Sequence, residues 1–324
     1  MRSKRKDEHV EYALKQDKFV SDFNRVHLVH QALPSYDLED VSLKSHYLNH
    51  DFALPIYINA MTGGSDKTLE INKKLAKMAQ KHQLAMAVGS QHVALDDPKY
   101  EASFRVVRDV YPEGFLISNV NANATVEEAQ RAIAMIDANA LQIHINPAQE
   151  LSMDEGDRHF KHWAQHIKAI VESVSVPVLI KEVGNGLSFE TVEKLISLGV
   201  EHVDVSGRGG TNFIWIENAR SQFKRYDYLE NWGLSTIEAL LDNQEHMKSI
   251  EIIASGGIKT PLDVIKALVL GAKAVGISGF FLKAVMDDNL IVIDHFIEDL
   301  RKLMILVDVQ KISDLSTVRY TISR

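Results

Sequence analysis

The sequence predicts an α/β fold: a single-domain TIM (β/α)8 barrel with an N-terminal arm and a long insertion after the sixth strand. Three observations predict it. Eight short β-rich runs recur from residue 55 onward, amphipathic stretches of helical period separate them, and the runs end in polar or small residues. Strands alternating with helices imply parallel pairing through right-handed crossovers, and eight such units in unbroken series imply closure. A doubly wound open sheet would also alternate strand and helix. It is disfavoured because no GxGxxG fingerprint follows the first run.

Taken in order, residues 1–54 lie outside the repeat and are expected to form an arm closing over the barrel mouth, with 55–324 as the barrel. The arm opens MRSKRKDEH, a basic start followed by charged, amphipathic sequence, so it is not a secretory signal. The runs are PIYINAM (55–61), LAMAVGS (84–90), GFLISNV (114–120), ALQIHIN (140–146), PVLIKEV (177–183), HVDVSGR (202–208), EIIASGGI (251–258) and AVGISGF (274–280). Between the first two, Leu69, Leu75, Met78 and Ala79 recur close to a 3.6-residue period. After the third, Thr125 is a natural N-cap with Glu128 three residues on. Residues 209–232, rich in Gly, Asn and aromatics, form the insertion after the sixth run.

Composition narrows the function. The 324 residues are 45% hydrophobic and 25% charged, an ordinary globular balance. A net charge of −8 opposes general attraction to nucleic acid or anionic membrane. The absence of cysteine removes thiolate catalysis and Cys-based metal sites. No apolar run reaches the roughly 18 residues a membrane helix needs. A cytoplasmic protein is expected.

Active sites of this fold sit at the C-terminal strand ends, where the runs carry Thr62, Ser90, Asn119, His144, Asn146, Lys181, Ser206, Ser255 and Ser278. His144, Asn146 and the deeper Gln142 share one face by alternation, whereas Glu182 is expected on the other face from Lys181. Glycine turns in ASGGIKTP (254–261) and GISGF (276–280) follow the last two runs. Backbone N–H groups exposed there suit a phosphate. With AMTGG at the first run and Lys181 at the fifth, this set suits a flavin mononucleotide: Gly63 and Gly64 permit close approach of a flat ring, and Lys181 would oppose negative charge on a reduced flavin. Glu150, just beyond His144 and Asn146, is placed to hold Mg²⁺ against a substrate diphosphate.

The set AMTGG (60–64), GSQ (89–91), HINPAQE (144–150), EGD (155–157), SGRGGTNF (206–213) and SGGIKTP (255–261), preceded by RKDEH (5–9), resembles the type 2 isopentenyl-diphosphate isomerases over almost the full length. The resemblance implies conversion of isopentenyl diphosphate to dimethylallyl diphosphate with FMN, Mg²⁺ and NADPH as reductant, in a homo-oligomer, tetramer or octamer. It implies that Arg5, Lys6 and His9 bind the diphosphate, that His144, Asn146 and Gln149 contact substrate, and that Glu150 takes the metal. Flavin would be held by Ala60, Met61, Thr62, Gly63, Ser90, Asn119, Lys181, Ser206 and Thr211, with its phosphate on Gly256, Gly257, Ser278 and Gly279. Two positions depart from the family pattern: His92 stands where Arg is common, and Ser278 where Ala is.

Such an isomerisation adds one proton to a terminal alkene carbon and removes another two bonds away, through a cation that must be kept from water. By analogy with the family, reduced flavin serves as the acid/base, Gln149 orients or relays a proton, and His144 assists. An FMN-dependent 2-hydroxy-acid oxidase shares the barrel and the phosphate site, but needs neither a diphosphate clamp nor Mg²⁺. A flavin- or phosphate-binding sensor would bind without turnover.

Overall fold

Short Ile-, Val- and Ala-rich segments form the eight barrel strands: β1 Ile56–Ile58, β2 Met86–Ala87, β3 Leu116–Asn121, β4 Ala140–His144, β5 Val178–Lys181, β6 His202–Asp204, β7 Glu251–Ser255 and β8 Val275–Ile277. In the computed structural model, which describes residues 2–16, 21–221 and 225–323 with side chains from residue 6 onward, they close in sequence order. All eight pair in parallel. β8 returns to β1 through Val275 opposite Ile56 and Ile277 opposite Ile58. The longest register is β3 on β4, from Ile117 opposite Ala140 to Asn121 opposite His144. The strands are shorter than the β-rich runs because the residues that follow them turn away to build the mouth.

The helices start where capping chemistry dictates. Ser65 caps Asp66–His82 and Thr125 caps Val126–Met135, each through a reciprocal bond with the residue three positions on. Asp66–His82 buries Ile71, Leu75, Met78 and Ala79 against the barrel, while Leu69 is only half-buried.

The first 54 residues divide between the two ends of the barrel. Helix Arg2–Lys15 lies at the mouth, where Lys6, His9 and Val10 line the cavity. The hairpin Ser45–Tyr47 and His50–Phe52 lies at the opposite end. There Tyr47, stacked 3.9 Å from Phe52, joins Tyr57, Ala85, Ile117, Ala140, Leu179 and Ala274 in an apolar layer built from strand beginnings. Between these two parts, Val26–Leu28 pairs antiparallel with Tyr320–Ile322. No helix among the described residues is long and apolar enough to cross a membrane.

Candidate active site

Above the apolar layer the barrel interior turns polar. Asp204, at the end of β6, is fully buried, and its carboxylate accepts from the Ser255 hydroxyl (2.7 Å), Tyr57 OH (3.1 Å), Asn59 Nδ2 (3.1 Å) and the Ser206 N–H (3.1 Å). A carboxylate is tolerated there because its lone pairs are met. Lys181, from β5, donates to the Ser206 hydroxyl (2.6 Å) and to the Glu182 carbonyl (2.5 Å). Burial lowers the Lys181 pKa from its ordinary value, a shift that Asp204 and Glu182 oppose. Glu182 does not line the cavity with Lys181, and it is buried: its carboxylate folds back to accept from the Gly184 N–H (2.6 Å) and the Asn185 N–H. Burial raises its pKa to about 7 against those two donors.

Lys181, Ser206, Ser255 and Asn59 line a cavity of about 1400 Å³ at the mouth. Its far wall is the pair of turns after β7 and β8. Gly256 has φ +93°, and a Cβ there would strike the Gly207 carbonyl, so only glycine keeps the turn after β7 this close to the turn after β6. A Cβ at Gly279 would meet nothing within 4 Å, which leaves room beside the start of the helix that follows β8. The Gln142 side-chain oxygen, lining the cavity, is buried with no hydrogen-bond partner. A bound polar ring edge would satisfy it. These residues fit FMN.

The loop after β4 supplies a second polar wall. Glu150 is held by Asn146 Nδ2 (3.0 Å) and by the Asp157 N–H (2.8 Å). Gly156 makes this possible, since a Cβ there would overlap the Glu150 carbonyl. The Asn146 side-chain oxygen, also lining the cavity, is buried without a partner. Among the described residues no cluster of three or more His, Cys, Asp or Glu is arranged for a metal. A single carboxylate lining the cavity, as Glu150 is, fits Mg²⁺, which takes one or two carboxylates and fills its remaining positions with water and substrate phosphate.

His144 hydrogen-bonds Asn119 Oδ1 through Nδ1 (2.9 Å), which makes Nδ1 the protonated nitrogen and leaves Nε2 an acceptor. Burial, helped by the charges of His92, Lys6 and Lys181, lowers its pKa to about 3. His144 is thus neutral at pH 7. His92 lines the cavity too, and its Nε2 accepts the Asn121 N–H (3.1 Å).

The arm helix brings in the remaining groups. Lys6 Nζ donates to the Ser90 carbonyl (3.2 Å), and Asp7 accepts from Ser65 Oγ (2.6 Å). His9 meets Glu217 Oε1 at 3.0 Å, the same oxygen that accepts from Gln149 Nε2 (3.1 Å). Glu217 comes from helix Phe213–Arg220, inside the insertion that the sequence presents as a loop. Burial pushes the Glu217 carboxyl up, but the hydrogen bond and charge of His9 and the charge of Arg220 outweigh it and hold the pKa below the ordinary value. His9 is lowered, chiefly by burial and against the pull of Glu217. T-shaped ring pairs, His9 with Phe213 and Tyr12 with Trp215, pack the two helices together.

The cavity is lined by Lys6, His9, His144, Asn146, Gln149 and Glu150, and by Ala60, Met61, Thr62, Ser90, Asn119, Lys181, Ser206, Thr211, Gly256, Gly257, Ser278 and Gly279. Gly63 is not among the lining residues. Its φ of +146° and the Phe104 ring, which a Cβ would strike, explain the glycine by packing. The side chain of Arg5 lies outside the described residues. Two polar groups escaped sequence reading: Glu217, and Asp204 midway between two valines. An acidic residue inside a strand is costly unless it is partnered, and that cost was the available signal for Asp204.

A closed parallel barrel with glycine turns after β7 and β8 and a buried lysine on β5 defines an FMN-dependent barrel enzyme. The FMN-dependent dehydrogenase family matches residues 104–321. Structures of mandelate oxidase, one with a monooxide FMN adduct (TM-score 0.67, 15% identity, 93% of this chain and 90% of that one) and one with (S)-mandelic acid (0.68, 14%, 98% and 94%), share the fold. The isopentenyl-diphosphate delta-isomerase of Staphylococcus haemolyticus is 49% identical over 98% of this chain and 93% of its own length. Those of Staphylococcus aureus strain N315 (48%; 97% and 92%) and Staphylococcus saprophyticus (46%; 99% and 94%) are similarly close. The chain belongs to the isopentenyl-diphosphate delta-isomerase family, built on the FMN-dependent barrel.

Proposed function

We propose that this protein interconverts isopentenyl diphosphate and dimethylallyl diphosphate by an allylic proton shift in isoprenoid biosynthesis. FMN, Mg²⁺ and NADPH as reductant complete the proposal. The observation that carries it is the meeting of Lys6 and His9, on the arm, with Glu150, Gln149 and Glu217 above a cavity whose floor fits a flavin. A small hydroxy acid needs no such clamp, and the family relationship does not favour that reading.

The substrate diphosphate would sit between the arm and the loop after β4. Lys6 and Arg5 offer cations to it, and Glu150 shares Mg²⁺ with it. Asn146 has a free side-chain oxygen on the same side. FMN, when bound and reduced, supplies a proton donor and acceptor next to an electron-rich ring. Around it the protein does three things. Ser206, its N–H held by Asp204, accepts from Lys181, whose positive charge suits an anionic ring edge. Gln149, anchored on the Glu217 carboxylate, orients the alkene and relays a proton. The arm helix covers the mouth, which keeps water from a tertiary cation. A neutral His144 is no proton source at pH 7, and its Nε2 serves as an acceptor.

The proposal places the protein in the cytoplasm as a homo-oligomer without nucleic acid or membrane partners, the net charge of −8 opposing the latter two. The test of function is anaerobic incubation of FMN-loaded protein with isopentenyl diphosphate, Mg²⁺ and a reductant. Acid-labile dimethylallyl diphosphate is expected, and it disappears with a chelator. Peroxide formation from a 2-hydroxy acid in air, with no isomer formed, would overturn the reading.

A further inference from the structure

Arg220 is the last residue of helix Phe213–Arg220, and its guanidinium reaches carboxylates on three different elements. Nε donates to Glu8 on the arm helix (3.0 Å), Nη2 to Glu155 on the loop after β4 (3.2 Å), and Nη1 to Glu217. The Arg220 side chain is only 16% exposed and Glu217 2%, so the inner pair is shielded, whereas Glu8 and Glu155 are at the rim. Without a cation there, three carboxylates would converge on one point beside the mouth. A guanidinium spreads five N–H donors over three nitrogens and faces all three carboxylates from fixed directions, whereas an ammonium has its three donors on one nitrogen.

We propose that Arg220 is the positioning residue that couples closure of the arm to the catalytic wall. Through Glu8 it fixes the helix that carries Lys6 and His9 over the mouth. Through Glu155 it fixes the loop that carries Gln149 and Glu150. Through Glu217 it keeps the oxygen that anchors Gln149 and His9 an acceptor. Arg220 itself makes no substrate contact in this account. It acts by holding the two diphosphate-binding elements in one register, so its loss is felt first in substrate binding.

The consequence for substrate rests on the isomerase reading, while the consequence for the arm does not. The experiment uses full-length, FMN-loaded protein and compares Arg220→Met, Arg220→Lys, Glu8→Gln and Glu155→Gln with the parent. Amide hydrogen exchange over residues 2–15 is read against helix Ile291–Leu306 as an internal reference. Exchange of the arm is expected to rise about tenfold in Arg220→Met and severalfold in Glu8→Gln, with the reference unchanged. KM for isopentenyl diphosphate is expected to rise about tenfold in Arg220→Met with kcat lowered less, and Arg220→Lys to recover only part of that loss. Should Arg220→Met fail to fold, Glu8→Gln and Glu155→Gln carry the test. Arm exchange at the parent level in Arg220→Met, or in Glu8→Gln and Glu155→Gln alike, overturns the proposal. An arm that loosens as expected in a protein without isomerase activity would sink the functional reading and leave the latch standing.

Discussion

Gln149 Nε2 donates to Glu217 Oε1 at 3.1 Å, bringing the loop after β4 and the insertion after β6 together across the mouth. The same oxygen meets His9 on the arm. A carboxamide held by a buried carboxylate has a fixed rotamer, and its oxygen is fixed as well by the Asn146 Nδ2 donor at 3.0 Å. Glu217→Gln removes the charge but keeps the shape, and would leave both amides free to turn. We expect kcat to fall by about 100-fold, the scale of a lost acid/base arrangement, with KM for the diphosphate changed much less. Steady-state kinetics decide it: a Glu217→Gln enzyme with parental kcat would show that the carboxylate plays no part.

Glu182 gives a prediction in stability. Its folded pKa, about 7, lies above its unfolded value, so its contribution is present at low pH and lost as pH rises toward 7. Glu182→Gln keeps an acceptor for the Gly184 and Asn185 N–H groups but has no charge to bury. The stability of Glu182→Gln relative to the parent should therefore increase from pH 5 to pH 8, by at most about 3 kcal/mol. Urea unfolding at the two pH values measures it; a difference that stays constant or shrinks contradicts the assignment.

His144 acts with the opposite sign. Its folded pKa, about 3, lies below its unfolded value, so the stability it contributes is complete above about pH 6.5 and declines as pH falls toward 3. His144→Gln keeps hydrogen-bonding capacity without that titration. The parent should lose stability more steeply than the variant between pH 7 and pH 4.5. Parallel slopes would mean the imidazole is not held neutral.

Gly156 lies against the Glu150 carbonyl, with no room for a Cβ. Gly156→Ala must displace either the loop or Glu150 itself. The concentration of Mg²⁺ giving half-maximal activity should rise about tenfold while FMN binding, followed by the flavin spectrum, is unaffected. Unchanged Mg²⁺ dependence would remove Glu150 from the metal site.

Much of this architecture was legible beforehand because its causes are local. Alternating runs and helical stretches reveal a barrel, and Thr125 with Glu128 marks a helix start that the structure reproduces. The glycine turn after β7 is visible because the close backbone approach of Gly256 and Gly257 to Gly207 and Gly209 requires glycine. What stayed hidden depends on distant partners. Glu217 and Arg220 sit in helix Phe213–Arg220, inside the segment read as a loop, and their neighbours are the arm and the loop after β4. Gly63 resembles a flavin contact in sequence and is explained by Phe104 in space.

The most direct test of the whole account is proton NMR of isopentenyl diphosphate incubated anaerobically in D₂O with the FMN-loaded protein, Mg²⁺ and dithionite. The account predicts dimethylallyl diphosphate carrying deuterium in its newly formed methyl group, and none formed when the flavin is left oxidised. Folded, flavin-loaded protein that leaves the substrate unchanged, or that converts it equally well with oxidised flavin, would contradict it.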